Sequence, residues 1–394
     1  MRSALKVRRT LLFILFIIYL LLSQTTIVGQ GLMRFFPTVI LFIIMCLGIP
    51  RSFGNMRLSK LSFLTWFLLY IIVNSLLTTS AYGSFFTTLL RSTYWISVYA
   101  VAWTIFKSMS LLSSDSWTNR KRDRKVFYIT CLFCLFFLFS YFSSAAYVED
   151  ESLGDNRVFY SLMLLPWVST VQSKGLKWCS LFLIFIVVII SLKRSAFIII
   201  LLVLFLNFIY DFLYRKKFSI QKFLVCSLLL CSSYIVYVSL YDRFDSMITR
   251  MEMIEEDGGN GRDYIYQNVL DRYLSGGIAS KCFGFGFDMV RHNDKSFHPV
   301  SAHNDFLEVL YDFGAIGFIF YIFLHFSLIK WVFLLFRARS RLAFPVLISY
   351  VCFFVMSMVS HLILYPTFFG ILVSFWAYAE CRDRQISCCI NYQV

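Results

Sequence analysis

AIGFIFYIFLHFSLIKWVFLLF, residues 315–336, decides the solvent in which this chain folds. The stretch holds one lysine and one histidine among apolar and aromatic residues. At about 1.5 Å per residue it crosses a hydrocarbon core of about 30 Å, which takes about 20 residues. Stretches 11–28 and 85–106 read the same way. The composition follows: 59% of the 394 residues are hydrophobic and 15% charged. Water-soluble globular chains carry roughly 45–50% apolar and about 25% charged residues.

Working outward, apolar runs predict about twelve spans, at 11–28, 35–50, 61–79, 86–106, 126–143, 158–172, 178–192, 196–213, 223–241, 315–336, 342–360 and 363–380. Arg2, Lys6, Arg8 and Arg9 before the first run look like the head of a secretory leader. The length of that run and the many apolar segments after it favour a first span. The expected fold is therefore an all-α polytopic membrane protein. It has nine spans in 1–241, a large loop at 242–314, and three spans with a tail in 315–394.

The net charge of +15 is a topology signal. Lys and Arg cluster at 2–9, 51–60, 107–125, 174–177, 215–222, 337–341 and 382–384, at every second gap between spans. Cytoplasmic loops collect such residues, so both termini are expected in the cytoplasm. The loop 242–302 has seven Lys/Arg against ten Asp/Glu and is expected on the far side. This pattern argues against a nucleic-acid partner. Only Cys282 of the eleven cysteines lies in that loop, so no disulfide framework is expected there. Cys131 and Cys134 sit mid-span and read as packing residues. The pair 158–172 and 178–192 is short enough to be re-entrant, but the lysines of its connector speak for two full spans.

The loop carries a glycine-rich turn, Gly258-Gly259-Asn260-Gly261, and then a helical pattern from Arg262 to Leu274 with Ile265, Val269 and Tyr273 on one face. A second glycine-rich segment, Gly284-Phe285-Gly286, follows. From Asn304 to Phe313 the pattern is helical again, with Asp305, Glu308 and Asp312 forming an acidic stripe. This amphipathic helix is expected to lie at the outer membrane–water interface.

Ionisable groups at membrane depth are costly and so are functional candidates. Arg194, at a span boundary, either snorkels to the interface or faces a cavity where its planar fork can bind phosphate. Arg91, His325 and Lys330 read as packing or snorkelling residues. His303 can exchange a proton near neutral pH, although a lone histidine is more often structural. The spacing of His292, His298 and His303 does not suit a metal site.

The run Ser301-Ala302-His303-Asn304-Asp305-Phe306-Leu307-Glu308, followed by Tyr311-Asp312-Phe313-Gly314-Ala315-Ile316-Gly317, resembles the signature of the O-antigen ligase/polymerase superfamily. Gly261-Arg262, Cys282 to Gly286, and Ser191 to Ala196 resemble the family's loop arginine, glycine-rich segment and upstream arginine turn. The resemblance spans about 188–320, and Asp312 stands where Glu is usual. It implies a GT-C-type helical fold and transfer of glycans from an undecaprenyl-diphosphate carrier. The reaction would run at the periplasmic face of the bacterial inner membrane, with no cofactor and no required metal. Carried over by position, Arg194 and Arg262 would bind the diphosphate. His303 would be the base or would orient the acceptor. Arg250, Arg291, Asn304, Glu308 and Asp312 are further substrate-binding candidates.

Expected partners are the lipid-linked oligosaccharide and membrane lipid, and the resemblance leaves room for a chain-length regulator protein. Two features favour an O-antigen polymerase over a ligase: the unbroken 301–308 run, and Arg250 followed after ten residues by Gly261. A lipid-linked oligosaccharide flippase is disfavoured because charged residues are sparse within the spans.

Overall fold

The computed structural model describes residues 11, 14–22, 39–40, 43, 62–78, 102, 119–145, 156–191, 193–215, 258–292, 301–360, 362 and 366–391. The expected spans 35–50, 86–106 and 223–241 lie almost wholly outside them, as do Arg91, Arg250 and His298. Among the described residues every regular element is a helix. Helical stretches at Arg120–Ser143, Lys174–Ser191 and Asp305–Arg337 are long and apolar enough to cross a membrane. Shorter apolar helices occupy Phe63–Asn74, Val158–Ser169, Ser195–Tyr210 and Ala343–Val359. The described residues are thus all-helical, with apolar helices as a membrane protein requires.

We number the helices α1 (Ser62–Leu77), α2 (Asn119–Ala145), α3 (Val158–Leu162), α4 (Leu165–Ser169), α5 (Lys174–Ser191) and α6 (Arg194–Arg215). They continue as α7 (Gly258–Ser275), α8 (Ile278–Phe283), α9 (Met289–His292), α10 (Asp305–Arg337), α11 (Ala343–Val359) and α12 (Pro366–Asn391). The chain forms two compact units, one of residues 118–261 and one of 1–117 with 262–394.

In the unit 118–261, α2 packs on α5. The expected single span 158–172 is instead two short helices, α3 and α4. The cause is Pro166 in the first turn of α4, which has no N–H to bond back to Leu162. The basic cluster expected as a loop enters α2, and one of its arginines, Arg122, is buried beside Asp123. Asp123 Oδ2 accepts the main-chain N–H groups of Gln172 and Ser173, both at 2.9 Å. Arg122 pairs with the other oxygen at 3.2 Å and donates to the Thr170 carbonyl at 3.0 Å. The connector between α4 and α5 is thus held at the basic end of α2. Cys134 is buried and donates to Ser161, a packing arrangement. Helices α5 and α6 form a hairpin, bridged by Lys177 Nζ donating to Asn207 Oδ1 at 2.9 Å.

In the other unit, α10 is the axis, with α1 and α11 against it and α12 against α11. Its buried side is Tyr321, Leu324, Leu328, Trp331 and Leu335, a seven-residue repeat; Phe323, Phe326 and Phe333 point outward. In lipid, such packing replaces contact with acyl chains rather than with water, so close fit and hydrogen bonds hold helices together. Tyr321 donates to Ser357 Oγ at 2.7 Å, and Trp376 donates to Ser349 Oγ at 2.9 Å. Rings of α1 interlock with α10, Phe67 lying 5.6 Å from Tyr321 and Phe63 5.2 Å from Phe323.

The apolar run of α10 conceals a break. Gly314 has φ +66° and ψ −173°, so residues 305–313 form a separate segment before the span.

Candidate functional site

The loop helix α7 presents the face expected of it: Ile265, Val269 and Tyr273 pack on a small core of Met289, Val290, Ala302 and Tyr311. It starts earlier than expected, the Gly258–Gly261 turn forming its first turn. Glycine costs roughly 1 kcal/mol per helical position, too little to stop a helix whose later turns are packed. Tyr311 is the centre of this core. Phe285 stacks on it at 4.5 Å and 15°, and the guanidinium of Arg272 lies 5.2 Å from its ring centroid. Arg272 also donates to the Val290 carbonyl at 3.0 Å, a role that hydropathy and spacing did not signal. Tyr273 donates to the Lys281 carbonyl at 2.8 Å. Burial first, then nearby Cys282, push its phenol above the ordinary tyrosine range, so it remains a donor.

The break at Gly314 frees carbonyls that a continuous helix would occupy, and each finds a donor. Tyr311 O accepts the Phe285 N–H at 3.0 Å and Asp312 O accepts the Gly286 N–H at 2.9 Å. Phe313 O accepts the Tyr70 hydroxyl of α1 at 2.8 Å. Asn74 of α1 donates to the Phe283 carbonyl. The backbones cross so closely that a Cβ on Gly284 (φ +83°) would overlap Asp312 and Phe313, and one on Gly314 would overlap Cys282 and Gly284. Both glycines are required by approach and by conformation.

The acidic stripe is buried, and main-chain amides rather than water face it. Asp305, Glu308 and Asp312 each have 0% exposure. Asp305 accepts the Leu362 N–H on both oxygens at 3.0 Å, which ties down the chain after α11. Glu308 Oε1 accepts the Ala302 N–H at 2.6 Å. Asp312 accepts three consecutive N–H groups, from Asp288 at 2.6 Å, Met289 at 2.9 Å and Val290 at 3.2 Å. A buried carboxylate is costly unless donors surround it. Here the donors come from three segments, which the stripe gathers along about two helical turns.

His303 sits in the middle of this arrangement. Asn304, buried, caps α10: its Oδ1 accepts from Phe306 N at 3.0 Å and Leu307 N at 3.4 Å. His303 itself is half-buried and has φ +52°, the left-handed region. For a residue with a Cβ that conformation costs roughly 1–2 kcal/mol. An open cleft of about 440 Å³ adjoins the cap, walled by Tyr266, Gln267 and Leu270 of α7, Asn304, Phe306 and Leu307 of α10, and Met358 of α11. Arg262, half-buried, precedes Tyr266 by one turn of α7. The Arg262 helix and the His303 turn are thus brought together, each beside a wall of one cleft. Arg291 lies exposed on α9. Arg194 is the first residue of α6, in the other unit. His325, read as a packing residue, is buried among rings, 4.4 Å from Phe353 and 5.1 Å from Phe306.

Among the described residues the chain is a set of apolar helices with a cleft beside the loop helix α7. Residues 179–322, less than half of the chain, match the O-antigen ligase family. That match supports the O-antigen ligase/polymerase superfamily, whose members act on lipid-linked glycans. It runs from α5 through Arg194, α7 and His303 into the first turns of α10. No curated protein matches the chain.

Proposed function

We propose that the chain is an O-antigen polymerase, a glycosyltransferase that joins undecaprenyl-diphosphate-linked oligosaccharide repeat units. The observation that carries this reading is the cleft between α7 and the cap of α10, with Arg262 one turn before its wall residue Tyr266 and His303 next to its wall residue Asn304. Its walls are apolar rings and side chains, with Gln267 and Asn304 as polar points. Such a surface suits an amphipathic substrate that presents sugar rings and an isoprenoid. In this reading the acceptor hydroxyl attacks the anomeric carbon of the donor sugar. The bond from that carbon to the diphosphate oxygen breaks, and undecaprenyl diphosphate leaves. His303 takes the acceptor proton or orients the hydroxyl. Arg262 and Arg194 neutralise the charge that grows on the leaving diphosphate, with Arg250 and Arg291 as further cations along the sugar. No metal has a part in these steps.

The wider reading has about twelve spans in a GT-C-type fold, in the bacterial inner membrane. Both termini are cytoplasmic and the 242–314 loop is periplasmic. A chain-length regulator is a partner to test by co-purification. The ligase reading, with lipid A–core as acceptor, is kept because the matched family is described as O-antigen ligase.

Deletion followed by a lipopolysaccharide gel separates the two. Loss of a polymerase leaves core bearing a single repeat unit, whereas loss of a ligase leaves core with no O-antigen. His303→Ala and Arg194→Ala should each abolish long chains in protein that still inserts. Normal chain lengths in His303→Ala remove the histidine from the reaction.

A further inference from the structure

We infer that Glu308 is a positioning residue that holds His303 in its left-handed conformation through the Ala302 amide, and that it does not contact the sugar or the diphosphate. The inference rests on the proposed role of His303. The residues on either side of the histidine are buried, Ala302 with 0% exposure and Asn304 with 8%. Each flank is tied to the same helical turn. Glu308 accepts the N–H of Ala302 at 2.6 Å, and Asn304 caps Phe306 and Leu307. Between them the histidine takes φ +52° while remaining half-buried. A left-handed residue other than glycine persists only where its surroundings over-determine it. The two grips do that, and they fix where the imidazole is presented. Glu308 is fully buried and is not among the residues that wall the cleft, whereas Asn304, Phe306 and Leu307 are.

Reach therefore matters at residue 308, and charge does not. Glu308→Gln keeps an oxygen acceptor at the same distance. Glu308→Asp keeps the charge but withdraws it by about 1.5 Å, one carbon–carbon bond. A charge, proton-transfer or substrate-binding role demands the opposite order.

The test uses membranes holding the full chain, with purified undecaprenyl-diphosphate-linked repeat units as donor. Glu308→Gln should keep kcat within about threefold. Glu308→Asp should lose about a hundredfold in kcat, the effect of displacing a reacting group by about 1 Å, with KM for the donor nearly unchanged. Should Asp exceed Gln in kcat, or should either variant raise KM with kcat intact, the positioning role is overturned. The grip is also read without substrate, as hydrogen exchange at the Ala302 amide: slow in the parent and Glu308→Gln, fast in Glu308→Asp. Equal exchange in all three overturns the inference even if a variant is poorly active. Failure of the functional reading looks different: the parent protein itself then joins no repeat units, whatever the exchange shows.

Discussion

Asp123 and Asp312 make the same kind of contact in two different places. Each is a buried carboxylate that accepts successive main-chain N–H groups, from Gln172 and Ser173 in one case and from Asp288 to Val290 in the other. Asp123 has Arg122 against its other oxygen and anchors a connector between two apolar helices. Asp312 belongs to a stripe with Asp305 and Glu308, and Asp288 adjoins it. In the first contact a guanidinium lies against the carboxylate; in the second, three main-chain N–H groups and neighbouring acids surround it. A connector needs only to be held.

The comparison is broken most severely by filling the crossing that brings residues 288–290 over Asp312. Gly284→Ala places a methyl group into the Asp312–Phe313 backbone at φ +83°. We expect a loss of at least about 4 kcal/mol, read as loss of folded protein in detergent by thermal unfolding. Asparagine at each acid sharpens the contrast. Asp123→Asn strands the Arg122 guanidinium and should cost about 3 kcal/mol. Asp312→Asn removes a charge from an acid-rich place but turns an amide NH2 toward a main-chain N–H, and should cost about 1–2 kcal/mol, less than Asp123→Asn. Equal losses in unfolding midpoint would mean that charge balance plays no part. The smallest effect is a gain. His303→Gly relieves a left-handed residue and should raise stability by up to about 1 kcal/mol, while chain elongation is lost.

Hydropathy located helices because a long apolar run favours one, and α2, α5, α6, α10, α11 and α12 lie within a few residues of their expected positions or extend beyond them. The inward face of α7 was legible for the same reason, as a period of 3.6 residues. The break at Gly314 was hidden, since apolar residues continue on both sides and only backbone approach demands a glycine there. The direction of the acidic stripe was hidden too. Periodicity puts Asp305, Glu308 and Asp312 on one face, and a charged face ordinarily meets water. Nothing local indicates that three distant segments will bring amides to it. Asn304 just ahead of a helical run was readable as a cap, although the resemblance marks it only as a substrate-binding candidate. The left-handed backbone of His303 was not, because histidine adopts many conformations and the grips on either side are tertiary.

The break at Gly314 also sets a schedule for synthesis. The amides of Phe285, Gly286 and Asp288 to Val290 find their acceptors only at residues 311–312, and the Ala302 amide finds its acceptor at 308. Tyr70 and Asn74, made long before, await carbonyls at 313 and 283. Until the head of α10 leaves the ribosome, these amides lack their acceptors and the small core under α7 lacks Tyr311. A chain halted before that point can insert its early helices, but it carries an unassembled loop, a natural target for quality-control proteases.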